Sequence, residues 1–385
     1  MPVKRVIRCA LPALLAAFCA RAYAGYTPDD TYYAYAGVSY RYDSNVLSLP
    51  EITSVPAVYG TSARGDSAVI TSAGGHYQNT YSRQLVSLDG QFSDTRYQTY
   101  GLLDYYGWNG QAKWNWQAGR DWSGLFGYQD VRDQPNLSNI VSGFRDVVRT
   151  RTGNFVADYA LTSKFAVEGS LTQSSQHNQQ LTYLDYEQRQ VGLALVGKTG
   201  KGSTLTLAAT HGKVDYAQVD QSSYKQDQLM MSLDWPLSEK TRLSGNVGRV
   251  RSESNAGGAA QFDKISGIET HWQATARNAL SLGLQQSFNS PGSSVLRGTT
   301  SSRYGGLVHT FSEKISLGMN LRRDRYSYDQ SSADYSITTS RIDLNWSPHP
   351  AVLVTAYAQN LKRDLAESSN SYTDRQVGVS LRLLY

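Results

Sequence analysis

The sequence has almost no cysteine. Cys9 and Cys19 are the only two in 385 residues, and both fall within the first twenty positions. The chain beyond them can form no disulfide, no thiolate metal site and no cysteine nucleophile. A chain of this length without such staples needs a large core or a sheet that closes on itself. Long apolar runs are also missing after the first twenty-odd residues, so no segment reads as a transmembrane helix. Proline is scarce, at 10, and the net charge of +5 is small for the length. No basic stripe or recognition motif accompanies that charge, which argues against nucleic acid as a partner. The histidines, His76, His177, His211, His271, His309 and His349, show no metal-ligand spacing, and neither HExxH nor G-x-S-x-G occurs. A serine–histidine–acid site assembled from distant strands needs no such motif, and Glu269 and His271 fall two apart on one face. The expectation is nevertheless a polar wall without enzyme activity, cofactor or metal.

The amino terminus carries Lys4, Arg5 and Arg8, then an apolar stretch from Cys9 to Ala20, then Ala22-Tyr23-Ala24. That order predicts a secretory signal peptide over 1–24, cleaved between Ala24 and Gly25. The apolar stretch is too short to span ~30 Å of hydrocarbon as a helix. Phe18 before Cys19 argues against a lipid-modified cysteine. The remaining 25–385 is expected to form one domain.

What the sequence has in abundance is tyrosine, 27 residues, and glycine, 33, alongside serine, threonine and glutamine. Mean hydropathy is −0.45 although 40% of residues are hydrophobic, a balance suited to strands with one apolar and one polar face. Period-two alternation runs throughout. Phe155, Ala157, Tyr159 and Leu161 lead into the turn Thr162-Ser163-Lys164; Phe165, Val167, Gly169 and Leu171 leave it. Short turns of this kind recur near 197–202, 236–241, 275–278, 312–314 and 347–350, separated by longer polar connections. Asn109-Gly110 is a strong hairpin signal, yet alternation passes through it unbroken, so 102–118 reads as one strand. Strands are expected to begin near 31, 65, 82, 102, 122, 150, 165, 182, 203, 224, 242, 261, 279, 299, 315, 335, 351 and 373.

The pattern predicts an all-β fold: a transmembrane antiparallel up-and-down β-barrel of about eighteen strands, with sixteen or twenty also compatible. Lipid offers no hydrogen bonds, so a spanning sheet must close. The outer membrane of a Gram-negative bacterium is the expected location, with outer-membrane lipid and the barrel-assembly machinery as partners. Short turns should face the periplasm. The two longest connections, 43–64 and 131–147, should lie outside, folded inward or across the mouth. Val377, Val379, Leu381, Leu383 and Tyr385 share one face of the last segment and form a candidate insertion signal ending in an aromatic carboxy terminus.

The opposite phase should line a lumen. Candidate lining residues are Lys113, Asn115, Gln117, Glu269, His271, Arg322, Asp324, Arg341, Asp343 and Arg382. This face mixes amides and hydroxyls with charges of both signs, suited to water and sugar hydroxyls without strong ion selection. Arg341 and Asp343 also have the spacing of a simple ion pair.

The stretch Tyr40-Arg41-Tyr42-Asp43-Ser44-Asn45-Val46-Leu47-Ser48-Leu49-Pro50, with Ser82-Arg83-Gln84, Leu88-Asp89, the segment from Asp94 to Tyr97, and Trp114-Asn115-Trp116-Gln117, resembles the EpsL-like outer-membrane proteins of exopolysaccharide operons, a group of β-barrel porins. The likeness covers the first third of the chain. It departs where the family tends to have an acidic residue in place of Ser44, and an aromatic and a basic residue in place of Leu47 and Ser48. The resemblance implies a part in exopolysaccharide biosynthesis or export, with polysaccharide and periplasmic export proteins as partners and a passive hydrophilic path as the mechanism. A general or substrate-selective diffusion porin is the alternative, and a plugged assembly barrel a further one.

Overall fold

The computed structural model describes residues 31–134, 145–257, 259–289, 297–328, 334–365 and 371–385. The expected signal peptide, with its Ala24–Gly25 junction, lies outside the described residues, as does part of the 131–147 connection. The strands are β1 (Tyr32–Asp43), β2 (Asp66–Tyr81), β3 (Gln84–Tyr97), β4 (Tyr105–Ala118), β5 (Trp122–Asp133), β6 (Val148–Ala160), β7 (Phe165–Asn178), β8 (Tyr186–Lys198) and β9 (Thr204–Tyr216). They continue as β10 (Tyr224–Ser238), β11 (Thr241–Ser254), β12 (Gln261–Thr275), β13 (Asn278–Phe288), β14 (Gly298–Ser312), β15 (Ile315–Tyr328), β16 (Tyr335–His349), β17 (Val352–Leu365) and β18 (Tyr372–Leu384).

These form one 18-stranded sheet in which neighbours in sequence are neighbours in space. β1 pairs antiparallel with both β2 and β18, from Tyr35 opposite Leu384 to Asp43 opposite Gln376. The sheet is therefore closed and has no free edge, which is how a sheet satisfies its backbone within lipid. The seam reaches the last residue: the Ala34 N–H donates to the Tyr385 carbonyl at 2.7 Å, and the Tyr385 N–H donates to the Ala34 carbonyl at 2.8 Å. β4 is one uninterrupted strand through Asn109-Gly110, because both of its ladders hold register across that dipeptide.

The outward phase is apolar and exposed. Leu193, Leu207, Leu229, Met231, Ile268, Leu284, Leu321 and Leu344 belong to it. Near the short turns that belt ends in aromatic residues, among them Trp122, Tyr159, Trp235, Trp272 and Trp346; the Trp122 and Tyr159 rings lie 4.9 Å apart. Girdles of this kind sit at the boundary between hydrocarbon and water. Two residues close the turn at Ser82–Arg83, Glu239–Lys240 and Glu313–Lys314. The other rim carries the long connections.

Two strands start later than their alternation predicts. The segments expected near 102 and 182 open instead with 3-10 turns at Gly101–Leu103 and Thr182–Leu184. The reason is the same at both. Asp66 accepts the N–H groups of Thr99 and Tyr100, and Asp146 those of Gln180 and Leu181, at 2.8–3.0 Å for the shorter contact to each. The chain is pulled inward before β4 and β8 begin, and Leu103 and Leu184 are buried by the bend. The buried apolar clusters all lie at this long-loop rim. One gathers Val46, Leu47, Leu49, Tyr97, Tyr100 and Leu103, a second Tyr186, Val214, Tyr216 and Tyr224, and a third Tyr335, Ile337, Leu361 and Tyr372.

Candidate functional site

The mouth at the long-loop rim is narrowed by the connection from β1 to β2. It turns inward at Asn45, whose side chain closes a loop on itself: its amide donates to the Leu49 carbonyl at 2.8 Å, and its oxygen accepts the Leu49 N–H at 3.0 Å. Val46, Leu47 and Leu49 are thereby pressed against the inward face of β2 and β3 and are all but excluded from solvent. Arg64 ties down the rest, donating to the carbonyls of Leu49 at 2.9 Å and Glu51 at 3.1 Å, and to those of Pro50 and Thr53. Burial pushes the Tyr59 and Tyr100 phenols up, so both stay neutral; Tyr100 donates its hydroxyl to the Ala63 carbonyl.

Under this loop sits a buried polar knot. Asp43 at the top of β1 pairs with Arg145 at 3.0 Å, and Arg145 also donates to the Val46 carbonyl. The Gln376 amide donates to Asp43 at 3.1 Å and to Asp374 at 2.8 Å. Buried charges require such pairing. The knot joins the first strand, the last strand and a distant connection at one point of the mouth.

On the inner face of the wall one arrangement recurs three times. A lumen-facing tyrosine lies over a glycine directly opposite on the next strand and carries an arginine on its ring. Tyr357 opposes Gly378 and carries Arg341 at 4.2 Å. Tyr304 opposes Gly283 and carries Arg322 at 5.4 Å. Tyr35 opposes Gly74 and carries Arg382 at 4.7 Å. A Cβ on Gly378 would stand 2.5 Å from the Tyr357 ring. Each ring thus lies flat on the wall only because its partner has no side chain.

The arginines differ in their charge balance. Arg341 makes a two-pronged contact with Asp343 at 2.7–2.8 Å, and Arg322 contacts both oxygens of Asp324 at 2.8–2.9 Å. Arg382 has no carboxylate partner among the described residues. Glu269 and His271 meet at 2.9 Å on β12, and His76 and Asp89 at 2.6 Å between β2 and β3. Among the described residues no cluster of three or more His, Cys, Asp or Glu could hold a metal.

All of the sequence-predicted lining residues occupy the phase opposite the lipid-facing belt. Lys113, Asn115, Gln117, His271, Arg322 and Arg382 are nonetheless exposed. An inward side chain is exposed only where solvent reaches the interior, so the bore is open from mid-wall at Arg322 to the short turns. Val377, Val379 and Leu381 face outward beside it, and Tyr385 ends the seam.

A closed antiparallel wall of 18 strands with a hydrated interior and an apolar exterior decides the class. The chain is a Gram-negative outer-membrane β-barrel. It is similar in fold to Pseudomonas aeruginosa OccK2 (OpdF), with a TM-score of 0.52 at 12% identity, over 94% of this chain and 99% of that one. It is similar to P. aeruginosa OpdK with vanillate, TM-score 0.52 at 10% identity, over 94% and 100% of the two chains. P. aeruginosa OccK9 (OpdG) matches with a TM-score of 0.50 at 11% identity, over 92% and 98%. No protein-family model and no curated protein matches the sequence.

Sequence reasoning did not find several residues that shape this barrel. Arg145 has no local signal, because its partners lie on other strands. Gly283 and Gly378 acquire their role only from strand register. Alternation places Asp158 and Glu168 on the inward phase of β6 and β7 but does not show that they stand directly opposite each other.

Proposed function

We propose that this barrel is a substrate-selective diffusion channel for small, hydrophilic, hydroxyl-bearing solutes. The observation that carries the reading is the hydrated bore with its Arg–Tyr–Gly units. A tyrosine face flush with the wall stacks against the apolar face of a sugar ring, and the arginine edge and nearby amides exchange hydrogen bonds with its hydroxyls. The arginines of two units are already neutralised by Asp343 and Asp324, so the path favours neutral solutes over anions.

That preference contrasts with the ligands seen in two solved structures of similar fold. One solved structure is OccK2 in complex with glucuronate, TM-score 0.51 at 11% identity, and another is OpdK with vanillate; both ligands carry a carboxylate. The test is reconstitution of the purified barrel into liposomes, comparing swelling rates with glucose and with glucuronate. Faster entry of glucose supports the reading. Faster entry of glucuronate, or no conductance in a planar bilayer, overturns it.

A second reading rests on the resemblance of the first third of the chain to EpsL-like proteins. Its longest shared stretch, Tyr40 to Pro50, builds the narrowed mouth, where a polymer leaving the cell would pass last. In that reading the barrel is the passive outer step of exopolysaccharide export, driven by partners at the inner membrane. Deleting the gene and measuring extracellular polysaccharide tests it; normal secretion sinks it.

A further inference from the structure

The lipid-facing surface carries a pattern that neither the lumen nor the mouth uses. Among the described residues, every lysine and arginine on the outward phase of a strand lies in the half nearer the long loops; the half nearer the short turns has none. Many face one another directly across strands. Arg132 opposes Arg149, Arg189 opposes Lys213, which opposes Lys225, and Arg249 opposes Lys264. Like charges directly opposite in a sheet repel and destabilise it.

Some of these cations have acids beside them, as Arg149 has Asp130 at 2.5 Å and Lys213 has Asp215 at 2.7 Å. The group on β14 and β15 has none. Arg303 stands opposite Arg323, and Arg325 follows two residues on, opposite Ser301. Across β16 their neighbours are Thr338 and Ser336, and across β13 Arg303 faces Leu284. All three arginines are exposed, and no ion pair reaches them among the described residues. They form a triangle of uncompensated guanidinium groups framed by hydroxyls. The patch begins where the apolar belt ends, since the exposed Leu284 stands beside Arg303 and the exposed Leu321 lies one outward position nearer the short turns than Arg323.

We propose that this patch binds the phosphate of a phosphorylated glycolipid in the outward-facing leaflet. Guanidinium groups match phosphate oxygens in two-pronged geometry. The acyl chains would run down the wall over Leu284 and Leu321 while the phosphate sits among the three cations. The bound anion removes a repulsion that the bare protein carries. The same logic explains the one-sided placement of outward cations around the wall. The inference stands independently of what crosses the bore.

The test uses the full-length barrel purified in neutral detergent. Bis-phosphorylated lipid A, its dephosphorylated form and inorganic phosphate are added separately, and binding and the thermal unfolding midpoint are measured. The expected result is that only the phosphorylated lipid binds tightly and raises the midpoint. The R303Q/R323Q/R325Q variant should bind it about a hundredfold more weakly, at roughly fivefold for each cation near an anionic lipid surface. Without lipid that variant should unfold no earlier than the wild type, because the repulsion is gone. If the triple variant does not assemble, Arg323→Gln alone should weaken binding about fivefold. Equal binding of the dephosphorylated lipid, an equal midpoint shift from inorganic phosphate alone, or unchanged binding by the variants overturns the proposal.

Discussion

Asp43 and Arg145 meet at 3.0 Å although 102 residues separate them in the chain, and both are almost wholly excluded from solvent. The pair fastens the inward loop to the mouth. Removing one partner of a buried ion pair costs about 3–5 kcal/mol, because the other is left uncompensated. Closure of the barrel does not draw on this pair, since the backbone ladder supplies it. Asp43→Asn should therefore undock the loop and leave the barrel standing. Single-channel conductance should rise, and externally added trypsin should cut at Arg64, which the docked loop protects. Unchanged conductance together with intact Arg64 would contradict the assignment.

Charge selectivity should depend on Arg382 more than on the Arg341–Asp343 pair taken together. Arg382 meets no carboxylate among the described residues, so Arg382→Gln removes a net positive charge and shifts preference toward cations. Screening over about 10 Å at 0.1 M salt holds the change in permeability ratio to roughly twofold. The R341Q/D343N variant removes a charge and its counter-charge together and should leave the ratio unchanged. Arg341→Gln alone uncovers Asp343 and should mimic Arg382→Gln. Reversal potentials across a salt gradient read all three.

The wall was legible in the sequence because its cause is local. A residue facing lipid must be apolar and its neighbour need not be, so period two marks every spanning strand, and two-residue turns mark one rim. The ion pair Arg341–Asp343 and the shared face of Glu269 and His271 were legible for the same reason, the residues lying two apart on one strand. The mouth was not. Leu47 and Leu49 read as part of a polar connection and are buried by contacts with β2, β3 and the turn at Gly101–Leu103. Asp66 and Asp146 delay β4 and β8 through hydrogen bonds to chain more than thirty residues away. The tyrosine–glycine pairs depend on register, which alternation leaves undetermined by any even number of residues.

Gly378→Ala should destabilise the barrel, whereas alanine for glycine in a strand normally stabilises it by about 0.5–1 kcal/mol. The added Cβ would stand 2.5 Å from the Tyr357 ring, which must then swing off the wall into the bore and lose its stack with Arg341. Overpacking of this kind costs about 1–3 kcal/mol, and the displaced ring should lower conductance. Gly169→Ala, where nothing lies within 4 Å of the new Cβ, serves as the control and should be neutral or stabilising. Denaturant midpoints and conductance, measured on both variants, check the contrast. Parallel behaviour of the two would remove the basis for flush-lying tyrosines.

Tyr385 separates assembly from stability. Its backbone closes the seam through paired hydrogen bonds with Ala34 at 2.7 and 2.8 Å, which any residue can make. Its side chain is exposed on the outside of the wall, in phase with Val377 and Val379. If the aromatic ring serves recognition by the assembly machinery, Tyr385→Ala should leave refolding into detergent micelles unchanged in rate and midpoint. In cells the same variant should reach the outer membrane at a fraction of the wild-type level, with the remainder degraded in the periplasm. Tyr385→Phe, which keeps the ring and loses the hydroxyl, should restore that level. Loss of stability in vitro by Tyr385→Ala would instead assign the ring a packing role at the seam, and normal membrane levels would remove the recognition role altogether.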